Sequence, residues 1–157
     1  MSTSLVDRLW YGQGRPLALL TPLAWLYRAV SEARRRKAWH ARNELLPVPV
    51  VVVGNITAGG TGKSPLTASL VQCMNQHGWK PVILSRGYGG KSSQYPLLVA
   101  DGTPAGICGD EPLMLARSTG CPVVVDPDRC RGARWALENG LGDVLICDDG
   151  LQHYRLP

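Results

Sequence analysis

No phenylalanine occurs in these 157 residues, so the aromatic bulk of a core must come from five tryptophans and five tyrosines. The five cysteines (Cys73, Cys108, Cys121, Cys130, Cys147) form no C-x-x-C pair and no cysteine–histidine cluster. That argues against a zinc site and against a disulfide framework, and reduced cytosolic thiols are the simplest reading. Long apolar runs are also missing. The stretch from Pro16 to Tyr27 is too short to span a bilayer, is interrupted by Pro22 and is followed directly by Arg28. Charged residues then stand where a secretory signal would have small cleavage-site residues. There is no internal repeat and no low-complexity tract. Acidic charge is scarce at one end only. Residues 1–50 hold eight of the 17 Lys and Arg but three of the 12 acids, while the remainder balances nine against nine. A basic head on a neutral domain selects an anionic partner for the head alone, either lipid headgroups or nucleic acid.

Apolar residues make up 45% of the chain, enough for a core of one domain or a piece of a larger one. The chain is organised around Gly54-Asn-Ile-Thr-Ala-Gly-Gly-Thr-Gly-Lys63-Ser64. Four valines, Val50 to Val53, precede it, and a helical pattern from Ser64 to His77 follows. Strand, glycine-rich loop, Gly-Lys-Ser and helix is the pattern of a phosphate-binding loop. Phosphate oxygens are met by converging backbone N–H groups, and glycine lets the backbone approach and turn that sharply. The next helix adds its free N–H groups and the positive end of its dipole. The predicted nucleotide-binding residues are Thr57, Ala58, Gly59, Gly60, Thr61, Gly62, Lys63 and Ser64. Lys63 is placed to reach the β- and γ-phosphates and Ser64 to offer its hydroxyl to Mg²⁺. Thr57 stands where the pattern has its first glycine, with Gly59 and Gly60 inside the loop to supply flexibility.

Upstream, residues 1–14 suggest a short helix and a turn, and Thr21-Pro22 reads as an N-cap followed by proline at the first helical position. Leu19, Leu23, Leu26, Tyr27 and Val30 share one helical face, and Arg34, Arg35, Arg36 and Lys37 follow. Residues 15–43 therefore fit an interfacial helix, with leucines and Trp25 in the acyl boundary and arginines on anionic headgroups. The plainer alternative is a helix packed on its own domain with a solvated basic end.

Downstream, strands are expected at Pro81–Ser85, Tyr95–Ala100, Cys121–Val125 and Val144–Cys147. Helices are expected from Asp110 to Thr119 and from an Asp128 cap to Asn139-Gly140. Short apolar strands alternating with helices predict an α/β fold, P-loop NTPase-like, with a mainly parallel sheet covered on both faces. Residues 1–46 are read as an N-terminal helical segment and 47–157 as the nucleotide-binding domain.

Asp148 and Asp149 end an apolar strand, where ligands of open parallel sheets bind, so one of them is expected to hold Mg²⁺ directly or through water. Taken alone, Asp-Asp-Gly is equally a turn. Asp110, before Glu111-Pro112, reads either as an ordinary helix N-cap or as a carboxylate that accepts the proton of an attacking hydroxyl. Arg86, Tyr88 and Lys91 lie in a glycine-rich loop that either closes on an anionic substrate or is a mobile surface turn. Gln152 and His153 follow the aspartate pair closely enough to line the same cleft.

Val52 to Ser64, Leu84-Ser-Arg-Gly-Tyr88, Gly109-Asp-Glu-Pro112, Asp128-Arg129 and Asp148-Asp-Gly-Leu-Gln-His153 occur in this order. Together they resemble the lipid A disaccharide 4′-kinase (tetraacyldisaccharide 4′-kinase) family of Gram-negative bacteria, whose loop also lacks the first glycine. The resemblance implies transfer of the ATP γ-phosphate to the 4′-hydroxyl of a tetraacylated glucosamine disaccharide 1-phosphate. It implies ATP and Mg²⁺ as cofactors and a peripheral place at the cytoplasmic face of the inner membrane. The basic helix would then meet the bilayer, and no nucleic-acid partner is expected. By position, Asp110 resembles the family's catalytic base, and Asp148 and Asp149 its Mg²⁺-linked carboxylates. Family chains continue well past the aspartate motif, so a chain stopping at Pro157 is expected to be a fragment or truncated product. Its acidic strand would leave an uncovered sheet edge or face, and alone it would bind nucleotide weakly without turning over. The rival readings are a membrane-recruited P-loop ATPase or switch, and a non-catalytic remnant.

Overall fold

The computed structural model describes residues 21–40, 46–54 and 62–148. The chain divides into two compact units, Met1–Ala41 and Arg42–Pro157. In the first, helix α1 (Thr21–His40) begins at Thr21, with Pro22 in the first turn, where its missing N–H costs no intrahelical bond. The residues before Thr21 lie outside the described residues, and the expected cap falls at that boundary. Leu23, Trp25, Leu26 and Tyr27 are each more than 60% exposed. The Arg36–Glu32 pair at 3.6 Å is an exposed i,i+4 contact and contributes little to stability. No described helix is long and apolar enough to cross a membrane. Residues 1–14 lie outside the described residues.

The second unit is a five-stranded sheet in the order β1-β5-β2-β4-β3. Its strands are β1 (Val50–Val53), β2 (Pro81–Ser85), β3 (Leu97–Leu98), β4 (Val123–Val125) and β5 (Val144–Asp148). Four run parallel, and short β3 pairs antiparallel to β4 at one edge. The helices are α2 (Lys63–Gln76), α3 (Ala105–Cys108), α4 (Asp110–Thr119) and α5 (Arg129–Glu138).

Each face has its own core. On one, Val71 of α2 and Leu113 and Leu115 of α4 pack with Ile83, Val123 and Ile146 of the sheet. On the other, Ala133 and Ala136 of α5 pack with Val82, Leu84, Val124 and Leu145. This is why the strands read as unbroken apolar runs: with both faces covered, no position favours a polar residue. Each fully buried Leu or Ile contributes about 1.5–3 kcal/mol of burial.

The helix ends also follow the sequence. At the end of α2, Gly78 adopts φ +82°, its N–H reaches Asn75 O at 3.1 Å, and the Trp79 N–H reaches Met74 O at 3.0 Å. This is a Schellman ending, which needs the left-handed residue that glycine supplies. Asp128 caps α5, accepting from the Cys130 and Arg131 N–H groups.

The acidic strand is interior: β5 lies between β1 and β2, and β1 and β3 are the edge strands among the described residues. A crossover inserts β5 beside β1, and strand order of this kind is set by tertiary packing.

Candidate phosphate-transfer site

Register builds the site. Parallel pairing places Val53 beside Asp148, so the chain leaves β1 for the glycine loop next to the acidic end of β5. The loop returns through Gly62, at φ +75° in the N-cap position of α2, a left-handed conformation suited to glycine. Lys63 opens the helix and Ser64 follows, both half-buried. One turn on, buried Thr67 shares their face and donates its hydroxyl to Asp148 Oδ1 at 3.2 Å. Ser64 donates to Glu111 Oε1 at 2.7 Å, tying α2 to the first turn of α4.

Asp148 is 1% exposed. Burial raises its carboxyl above the usual range, and the Glu111 charge pushes the same way. The Thr67 hydrogen bond, Lys63 and Arg129 partly offset this. Arg129, itself buried, opens α5 directly after the Asp128 cap. A buried anion held against its own desolvation is characteristic of a site arranged for a cation.

The raised carboxyl has a stability consequence. The native state holds the Asp148 proton to higher pH than the unfolded chain, so ligand-free stability falls as pH rises from the unfolded carboxylate value through the raised one. Asp148→Asn keeps an oxygen for the Thr67 bond and removes the buried charge. The ligand-free variant is expected to melt higher than the parent at neutral pH, with the difference vanishing in acid. Equal melting at pH 7 would contradict this account.

Asp110 is not the N-cap. Gly109 occupies the cap position, at φ +95° and ψ 154°, and Asp110 is the first helical residue, exposed. Pro112 then falls in the third helical position, where no intrahelical N–H bond is required. Asp110 and Glu111 both lie in the first turn, where the helix dipole favours negative charge.

Arg86 and Tyr88 project exposed from the loop after β2, Tyr88 at 88%. Gly87 and Gly90 of that loop are packed tightly, so it is no loose turn. Thr57, Ala58, Gly59, Gly60, Thr61, Asp149, Gln152 and His153 lie outside the described residues. Sequence reasoning missed Glu111 and Thr67. The adjacent Asp110 was the available signal for Glu111, and nothing in the motif marked Thr67.

The donor set suits Mg²⁺. Among the described residues, no three His, Cys, Asp or Glu side chains form a metal cage. Mg²⁺ does not need one, because it is bound through one or two carboxylates with substrate phosphates and water completing the shell. Ser64, Glu111 and Asp148 offer hard oxygen donors of that kind. Burial lifts the Cys147 thiol, beside Asp148 on β5, to about 11, leaving it protonated at neutral pH. A groove of about 560 Å³ between α2 and α4, lined by Ser69, Gln72, Asn75, Ser118 and Thr119, lies further along α2 and shares no residue with this cluster.

A mostly parallel sheet whose glycine loop enters a Lys-Ser helix beside a buried strand-end aspartate defines a P-loop protein of the α/β class. Within that class the assignment narrows: residues 16–157 match the tetraacyldisaccharide-1-P 4′-kinase family, LpxK, and the chain belongs to it. The tetraacyldisaccharide 4′-kinase of Vibrio campbellii is 46% identical over 97% of this chain and 47% of its own length. That of Alkalilimnicola ehrlichii is 56% identical over 88% of this chain and 42% of its own. The crystal structure of LpxK from Aquifex aeolicus in complex with ATP superposes with a TM-score of 0.76 at 33% identity, covering 89% of this chain and 46% of that one. The chain thus spans about half the length of the relatives it matches.

Proposed function

We propose that this chain carries the nucleotide-binding and phosphate-transfer part of a kinase that moves the ATP γ-phosphate to the 4′-hydroxyl of a tetraacylated glucosamine disaccharide 1-phosphate. The observation that carries the reading is the meeting of Lys63 and Ser64 with Glu111 and Asp148 at the loop exit, in a chain matching this family from residue 16 to 157. Phosphoryl transfer asks a protein mainly for positioning and charge stabilisation. Residues 57–62 and Lys63 hold the phosphates. Ser64, Glu111, Asp148 and Asp149 hold Mg²⁺, which when bound neutralises charge on the phosphate oxygens. Thr67 fixes the Asp148 carboxylate. Asp110 accepts the proton of the 4′-hydroxyl. Arg86, Tyr88, Gln152 and His153 line the acceptor side. Label from γ-phosphate-labelled ATP appearing on the disaccharide supports this reading, and label released only as free phosphate supports an ATPase or switch.

The first unit delivers the site to its substrate. Trp25, Leu26 and Tyr27 are exposed on α1, and Arg34, Arg35, Arg36 and Lys37 follow in the same helix. Apolar residues beside a basic cluster suit a peripheral helix on an anionic surface, here the cytoplasmic face of a bacterial inner membrane. Sedimentation with phosphatidylglycerol vesicles is expected to weaken with salt, and to weaken by on the order of 10²- to 10³-fold in affinity when the four basic residues become glutamine, since each contributes about 1 kcal/mol near such a surface. Binding indifferent to both changes would contradict the membrane role.

A further inference from the structure

The loop after β2 and the start of α4 meet backbone against backbone. A Cβ added to Gly90 would lie 2.6 Å from both Gly109 N and Ile107 O, and 2.7 Å from Cys108 C. A Cβ on Gly109 would lie 2.7 Å from Tyr88 O, and the φ of +95° there is itself strained for any L side chain. Gly87, at φ +71°, is pressed between the Val125 side chain and Cys108 O. Three glycines therefore close one interface, and at Gly90 and Gly109 the opposing atoms are backbone and cannot rotate aside. One hydrogen bond, from Lys91 to Gly106, crosses the same contact, and two local ones stiffen its two sides. Gly90 N–H donates to Gly87 O at 3.0 Å, Lys91 N–H to Gly106 O at 2.9 Å, and Gly109 N–H to Ala105 O at 2.7 Å.

What this interface holds is the origin of α4. Asp110 follows Gly109 directly, and Glu111, one residue on, meets Ser64. We infer that Gly90 and Gly109 form a backbone seat that fixes where α4 begins, so that Gly90 is a positioning residue for phosphate transfer acting through Asp110 and Glu111. The inference rests on the kinase reading above for its chemistry, although the seat itself is a matter of packing. Through Gly87 and Val125 the seat is referenced to the sheet, and through Glu111 and Ser64 to α2. The loop acts as a rigid spacer between the strand end and the two carboxylates. Its rigidity matters because a misplacement of about 1 Å of a reacting group can cost on the order of 10²-fold in rate.

The test compares Gly90→Ala with Gly102→Ala, a glycine in the turn after β3 where an added Cβ has nothing within 4 Å. Both are made in the longest natural reading frame containing this chain and assayed with ATP, Mg²⁺ and the disaccharide, rates being referred to the folded fraction. Gly90→Ala is expected to lower kcat at least about 10-fold with the KM for ATP within about threefold, and Gly102→Ala to match the parent. An unchanged kcat, or a loss confined to KM, overturns the inference. If Gly90→Ala does not fold, Lys91→Pro carries the test: it deletes the bond to Gly106 O and sets a ring carbon against that oxygen, disturbing the seat from the loop side, and an unchanged kcat there overturns the inference equally. If the parent frame transfers no phosphate, the kinase reading fails and the seat is judged on spectra of the 157-residue chain. Gly90→Ala, or Lys91→Pro in its place, should shift the amide resonances of Asp110, Glu111 and Ser64, whereas Gly102→Ala should not. Unmoved resonances in the folded seat variant refute the seat.

Discussion

Lys63→Ala, made in the longest natural reading frame that contains this chain, is expected to lower kcat by about 10²- to 10³-fold, the cost of removing a preorganised charge from a developing anion. The fold should survive. Lys63 is the first residue of α2, where a positive charge opposes the helix dipole, and it is only half-buried, so alanine costs the helix nothing. The same substitution acts on Asp148, whose carboxyl the Lys63 charge helps hold down. Losing that charge leaves the buried aspartate still harder to ionise, and Mg²⁺ should be needed at higher concentration. Unfolding midpoint, ATP affinity, Mg²⁺ dependence and transfer rate together check the prediction. A variant that melts like the parent and transfers phosphate at the parental rate would sink the phosphate-loop assignment.

Asp110→Asn is expected to keep Mg·ATP affinity within a few-fold and to lose about 10²-fold or more in transfer rate. The observed geometry sharpens this expectation. An N-cap aspartate tolerates asparagine, but the cap here is Gly109, so Asp110 has no capping role for asparagine to preserve. The helix loses only one first-turn charge, worth about 0.3–1 kcal/mol. A large rate loss on a nearly unchanged melting curve is the signature of a base, and a rate that barely moves would remove Asp110 from the chemistry.

The elements were legible where local physics decides them. Val50 to Val53 announces a strand and Pro81 to Ser85 one covered on both faces, Gly78 and Gly140 end helices in the left-handed conformation, and Asp128 caps α5. The phosphate loop was legible because its chemistry compresses into one stretch. What stayed hidden was set by contacts distant in sequence. Ser64 meets Glu111 across 47 residues and Thr67 meets Asp148 across 81, and no local pattern records such partners. Asp-Glu-Pro satisfies the local rule for a cap at Asp110 and so left its role open between cap and base, while Gly109, the actual cap, is held by packing against Tyr88. The glycine-rich loop read equally as a lid or a turn, because nothing in its sequence says which backbone it must approach. The place of β5 inside the sheet depended on a crossover, and only the assembled strand order reveals it.

The most direct test of the central claim is a transfer assay with γ-phosphate-labelled ATP, Mg²⁺ and the tetraacylated disaccharide 1-phosphate. It is run on the longest natural reading frame containing this chain, with Lys63→Ala alongside. The account predicts label in the lipid fraction, on the 4′-oxygen, dependent on Mg²⁺ and nearly lost in Lys63→Ala. Label released only as inorganic phosphate, or lipid labelling equal in parent and Lys63→Ala, would contradict it.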